Sequence, residues 1–99
     1  MKQVHLFISG FVHGVGFRRF VKHHAEKLGL KGWTRNLSDG RIEVLVQSSA
    51  GSDKEDKKKP KELIKVCSKG PFLSEVKSVS VEWEDPQEEF PDFKIKPTE

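Results

Sequence analysis

Three glycines in seven residues, Gly10, Gly14 and Gly16, stand where an alternating apolar run gives way to a helical period. The stretch reads Gly10-Phe11-Val12-His13-Gly14-Val15-Gly16-Phe17-Arg18. Glycine there permits positive φ and a close approach of backbone to a ligand. A tight loop entering a helix aims unpaired N–H groups at one point, which suits an anion. Arg18 ends the stretch with a permanent charge on a planar fork that matches phosphate oxygens. The backbone of His13, Gly14, Val15, Gly16, Phe17 and Arg18 therefore reads as a phosphate cradle. Arg19, the next residue, points elsewhere on a helix and reads as surface. Downstream lies a second polar candidate, Asn36, at the end of Gly32-Trp33-Thr34-Arg35-Asn36. An asparagine has both a donor and an acceptor, so it can hold a water without taking its proton. By itself Asn36 is equally a turn residue before Ser38-Asp39-Gly40.

Taken together, the two blocks resemble the paired signatures of the acylphosphatases, small enzymes that hydrolyse carboxyl–phosphate anhydrides. The resemblance covers nearly the whole chain. It implies that Arg18 binds the substrate phosphate and that Asn36 is the catalytic asparagine that positions water. It also implies that the substrate's own phosphate accepts the proton of that water. Phosphoryl transfer of this kind rests on positioning and charge stabilisation, because the leaving carboxylate is already stable. Two features depart from the family pattern. His13 stands where the family often has glutamine, and it brings a titratable ring to the cradle. The polar segment Ser48 to Lys59 looks longer than the family's usual loop.

The elements around these blocks follow from periodicity. Val4, Leu6 and Ile8 alternate with His5, Phe7 and Ser9, which predicts a strand. Phe7 makes the second face partly apolar, so the strand is expected to be central. His5 reads as a surface imidazole. Phe17, Phe20, Val21, Ala25 and Leu28 share one helical face, and Gly29 is placed to end that helix. His23 and His24 are adjacent and point about 100° apart on a helix, so they do not make a metal pair. Leu30 to Asn36 reads as a short strand, with Trp33 packed under the sheet. Ser38-Asp39-Gly40 turns it into a second run with Ile42, Val44 and Val46 on one face, an antiparallel hairpin.

Ser48 to Lys59 is charged and reads as a surface loop running into a second helix, with Pro60 in that helix's first turn. Leu63, Ile64, Val66 and Cys67 form a partial apolar face that stops at Gly70-Pro71. Cys67 reads as a small core residue, with nothing to mark it as activated. Val79, Val81 and Trp83 alternate in the last long strand. Phe90, Phe93 and Ile95 predict a final short one that ties down the C-terminus. The order is β-α-β-β-α-β plus a terminal strand, a ferredoxin-like α+β arrangement with two helices on one face of an antiparallel sheet. Many functions use that fold, so it selects none of them.

Ninety-nine residues make one domain, 1–99. A single cysteine excludes an internal disulfide and a cysteine-based zinc site. No apolar run reaches the ~20 residues of a membrane span, and Met1-Lys2 leads straight into a strand pattern. A cytoplasmic monomer without cofactor or metal is expected, acting on a small-molecule acyl phosphate, with inorganic phosphate as competitor and neither nucleic acid nor membrane as partner. The net charge of +3 mildly favours anionic partners, but Lys54, Lys57, Lys58, Lys59 and Lys61 in one hydrophilic segment are enough to account for the excess. A nucleic-acid-binding module is the competing reading. It needs aromatics on the exposed central strands to stack bases, and Arg41 to Gln47 carries none.

Overall fold

A computed structural model describes residues 1–99. Seven elements follow in order: β1 (Lys2–Phe11), α1 (Phe17–Lys27), β2 (Lys31–Asn36), β3 (Ile42–Ser48), α2 (Asp53–Lys69), β4 (Glu75–Glu84) and β5 (Phe93–Ile95). The sheet runs β4-β1-β3-β2-β5. Its first four strands are antiparallel, and β1 is central, as its two apolar faces predict. The expected all-antiparallel sheet needs one correction: β5 pairs parallel to β2, with Thr34 opposite Ile95. The final strand is also shorter than the phenylalanine spacing predicts, because Phe90 lies before it. The Phe90 amide donates instead to the Gln47 side chain at 3.1 Å.

One core holds the layers together. Val4, Leu6 and Ile8 of β1 and Ile42, Val44 and Val46 of β3 face Phe17, Val21 and Ala25 of α1 and Leu63 and Cys67 of α2, all of them buried. Each such aliphatic side chain contributes roughly 1.5–3 kcal/mol by leaving water. The C-terminus of α1 is closed as its glycine predicts. Gly29 takes φ 72°, its N–H donates to Glu26, and the Leu30 N–H donates to Ala25. These paired bonds satisfy the last carbonyls of the helix.

The charged segment after β3 differs from expectation. The helix begins at Asp53, so most of Ser48 to Lys59 is not loop. The Ser52 hydroxyl caps it by accepting the Glu55 N–H at 3.3 Å, and Asp53, Glu55 and Asp56 oppose the positive end of its dipole. Pro60 consequently lies inside α2 and not in its first turn. Proline has no N–H, so one rung of the helix ladder is missing there. Lys54, Lys58, Lys61, Lys65 and Lys69 follow helical spacing on the side opposite buried Asp56, Pro60, Leu63 and Cys67. They make one outward ridge.

The helix-free face of the sheet is covered by its own side chains. Trp33 is buried there, and not among the residues between sheet and helices. Arg35 lies over its ring at 4.8 Å and Lys96 at 4.4 Å. Buried Glu43 accepts from Arg35 Nε at 2.7 Å and pairs with His5 Nε2 at 2.5 Å. His5 is thus half-buried in a hydrogen-bond network with Glu43 and Glu84, a correction to the surface imidazole expected. Arg41 lies 4.9 Å from the Phe7 ring centre. The aromatic faces of Phe7 and Trp33 are occupied by cations, which leaves no stacking platform and disfavours the nucleic-acid module.

Candidate active site

The cradle is built where β1 ends. The register between β1 and β4 shifts at Ser9/Gly10, a bulge after which Gly10 and Phe11 still pair with Val76 and Glu75. Gly10 has φ 131°, and a Cβ there would lie 2.1 Å from the Glu75 carbonyl oxygen. Only glycine fits that approach. Val12 then returns to the core, 1% exposed, and anchors the loop that follows. Gly14 and Gly16 take φ 71° and 76°, and Gly16 is the residue at which α1 starts.

No side chain caps α1, and no acidic residue stands in its first turn. The first loop-to-helix bond is Phe20 N–H to the Gly16 carbonyl at 3.0 Å. The N–H groups from Gly14 to Arg19 donate to no protein acceptor. An uncapped, acid-free helix start with a left-handed glycine turn before it is a set of donors aimed at an anion.

A cleft of about 360 Å³ opens at this point, lined by Val12, Gly14, Gly16, Phe17, Arg18, Arg19, Asn36 and Ile95. That volume is in the range of small-molecule sites. The structure therefore brings Arg18 and Asn36, from the two separate sequence blocks, to one hollow. Asn36 arrives there as the end of β2, paired with Ile42 of β3. Its carbonyl accepts the Glu99 N–H at 3.2 Å, while its side-chain amide has no protein partner. Arg18 is half-buried. The chain has four arginines; Arg35 and Arg41 make ion pairs with Glu43, Glu99 and Asp39, whereas Arg18 and Arg19 make none. No aspartate or glutamate lines the cleft.

Three further placements complete the picture. His13 Nε2–H donates to the Arg41 carbonyl at 3.0 Å, so the ring is tied to the β2–β3 turn and is not among the cleft-lining side chains. Val15 is half-buried and likewise does not line the cleft. Arg19 is exposed, as the sequence predicts, and also lines the cleft at its rim. Ile95 is the site residue that sequence reasoning missed. It is read there only as a strand residue, and nothing local reveals that parallel pairing with Thr34 carries it beside Asn36.

A larger hollow, about 540 Å³, lies elsewhere, among Leu28, Lys31, Gln47, Lys59 and Phe90. It contains neither sequence block, so size does not mark the chemistry here. No three His, Cys, Asp or Glu side chains converge to hold a metal ion. Burial pushes the Cys67 thiol up to about 12, which leaves it without thiolate character at neutral pH.

Comparison with known proteins gives one consistent family. The acylphosphatase family model matches residues 4–95. An acylphosphatase from Roseiflexus sp. is 36% identical over 95 residues, covering 96% of this chain and 95% of the relative. The crystal structure of acylphosphatase from Bacillus subtilis superposes with a TM-score of 0.84 at 32% identity, covering 97% of this chain and 99% of that one. The fold also occurs within a larger protein. Full-length HypF in its phosphate- and nucleotide-bound form matches at a TM-score of 0.68 and 34% identity, over 99% of this chain but 12% of HypF.

Proposed function

The chain belongs to the acylphosphatase family and hydrolyses acyl phosphates to a carboxylate and inorganic phosphate, and we propose that the reaction runs in the cleft between the β1–α1 loop and the end of β2. The phosphoryl group sits in the cradle of His13 to Arg18, with its oxygens on the free N–H groups and the Arg18 guanidinium. Asn36 holds the water in line with the bond to be broken. The water oxygen attacks phosphorus, the bond between phosphorus and the acyl oxygen breaks, and the carboxylate leaves with its electron pair. The proton lost by the water goes to a phosphate oxygen, so a dianionic acyl phosphate and water become a carboxylate and a monoanionic phosphate. No side-chain base is consumed. Preorganised donors and a fixed charge do the stabilising, which is the usual source of rate in such transfers.

One observation supports this most directly: the unpartnered donors of the loop, the unpaired Arg18 and the free amide of Asn36 line the same hollow. The protein works as a single domain over 1–99, as a cytoplasmic monomer, and without cofactor. The test is hydrolysis of benzoyl phosphate, a simple synthetic acyl phosphate, with and without a strong chelator. Activity should persist in chelator, and inorganic phosphate should compete with substrate. Complete loss in chelator, restored by added metal, would overturn the metal-independent mechanism.

A further inference from the structure

Two arginines line this cleft, and the phosphoryl transfer proposed above uses one. Arg18 is half-buried beside the cradle; Arg19 is exposed at the rim. Neither has a carboxylate partner anywhere in the molecule, although the other two arginines are both paired. The cleft lining holds no acidic side chain to balance them. With the phosphate seated in the loop, the acyl part of a substrate must extend toward the rim. There it meets Ile95, 38% exposed, the one apolar lining side chain with much surface left. Val12 and Phe17, the other two, are 1% and 2% exposed. The rim thus offers an apolar contact and, beyond it, an unsatisfied cation with a planar pair of donors.

We propose that Arg19 selects acyl phosphates whose acyl group carries a second anionic group, a carboxylate, with the intervening carbons against Ile95. This rests on the cleft assignment made above. Arg19 touches the remote end of the substrate and takes no part in bond breaking. Its contact is present in substrate and transition state alike, so it acts mainly through KM. A charge-assisted contact at an exposed site is worth about a two- to fivefold preference.

The test compares benzoyl phosphate with 4-carboxybenzoyl phosphate, which share a reacting centre and differ by one remote carboxylate. The readout is the ratio of their kcat/KM values in the unsubstituted enzyme, in Arg19→Gln and in Lys27→Gln. Lys27 is at the far end of α1, so its variant removes the same charge from the same helix without touching the cleft. The ratio should fall about two- to fivefold in Arg19→Gln, through KM of the carboxylated substrate, and stay unchanged in Lys27→Gln. Equal losses for both substrates in Arg19→Gln, an unchanged ratio, or the same fall in Lys27→Gln would each overturn the proposal. If the unsubstituted enzyme hydrolysed benzoyl phosphate while Arg18→Ala retained full phosphate affinity, the cleft assignment would fail first, and this inference with it.

Discussion

In the proposed mechanism Arg18 and Asn36 act on different partners, so their variants should fail differently. Arg18→Ala removes a charge that acts on the phosphate throughout, so both phosphate affinity and turnover should fall, with kcat/KM down by about 10²–10³. Asn36→Ala removes the group that holds water, so turnover should fall with phosphate affinity nearly kept. Steady-state kinetics with inorganic phosphate as inhibitor separates the two. Loss of phosphate binding in Asn36→Ala with turnover per bound substrate intact would reverse the roles. That these two residues line one cleft was legible because each ends a short block of distinctive composition. The place of Arg19 at the cleft rim was not, because adjacency on a helix was read as divergence. Cys67 was legible from its helical face. It should resist alkylation in the native protein at pH 8 and react on unfolding, since burial holds its thiol at about 12.

The elements place those residues through close backbone approaches, and that is where substitutions should do most damage. Gly32 opens the Trp-Thr-Arg-Asn strand with φ 144°, and a Cβ there would lie 1.8 Å from the Leu45 carbonyl oxygen. Gly32→Ala must therefore separate β2 from β3. It should cost about 3 kcal/mol or more, visible as a lower urea midpoint. Gly14→Ala meets no atom within 4 Å and is strained only by its φ of 71°. It should cost about 1 kcal/mol in stability and far more in phosphate affinity, because the strain falls on the cradle. The hairpin and α1 were legible at this scale, since alternation, an Asp-Gly turn and a terminal glycine all agreed. The start of α2 was not. A run of charges with few apolar residues hides a helix whose inward positions are Asp56 and Pro60. Buried Asp56 accepts the Ala50 N–H and pairs with the Met1 ammonium group at 2.9 Å, a role that no hydrophobic period announces.

Across the whole molecule the same contacts set how stability responds to acid. Partial burial, with help from His23 and Lys27, lowers the His24 pKa from its ordinary value. The unfolded chain then binds the extra proton first, so stability falls as pH drops below about 6.5. The Ala50 N–H first, and then the terminal ammonium group, hold the Asp56 carboxyl below the usual carboxylate range; Arg41 does the same for Asp39. Their stabilisation is present above about pH 3.9 and disappears as pH falls through the lowered values. Urea midpoints measured from pH 8 to pH 3 should show two declines. His24→Gln should flatten the upper one, and Asp56→Asn should be less stable than the unsubstituted protein at pH 7 with the gap closing below about pH 4. A gap for Asp56→Asn that stays constant across this range would show that the carboxyl's charge is not what matters. The parallel seam between β5 and β2 has a consequence for synthesis. Ile95 reaches Asn36 only by way of that seam, and Lys96 N–H closes it on the Thr34 carbonyl at 2.8 Å. A nascent chain on the ribosome can shape its cradle and hairpin early, yet the cleft wall is missing until β5 leaves the exit tunnel. Arrested chains that hold β5 inside the tunnel should be inactive, and releasing it should switch hydrolysis on.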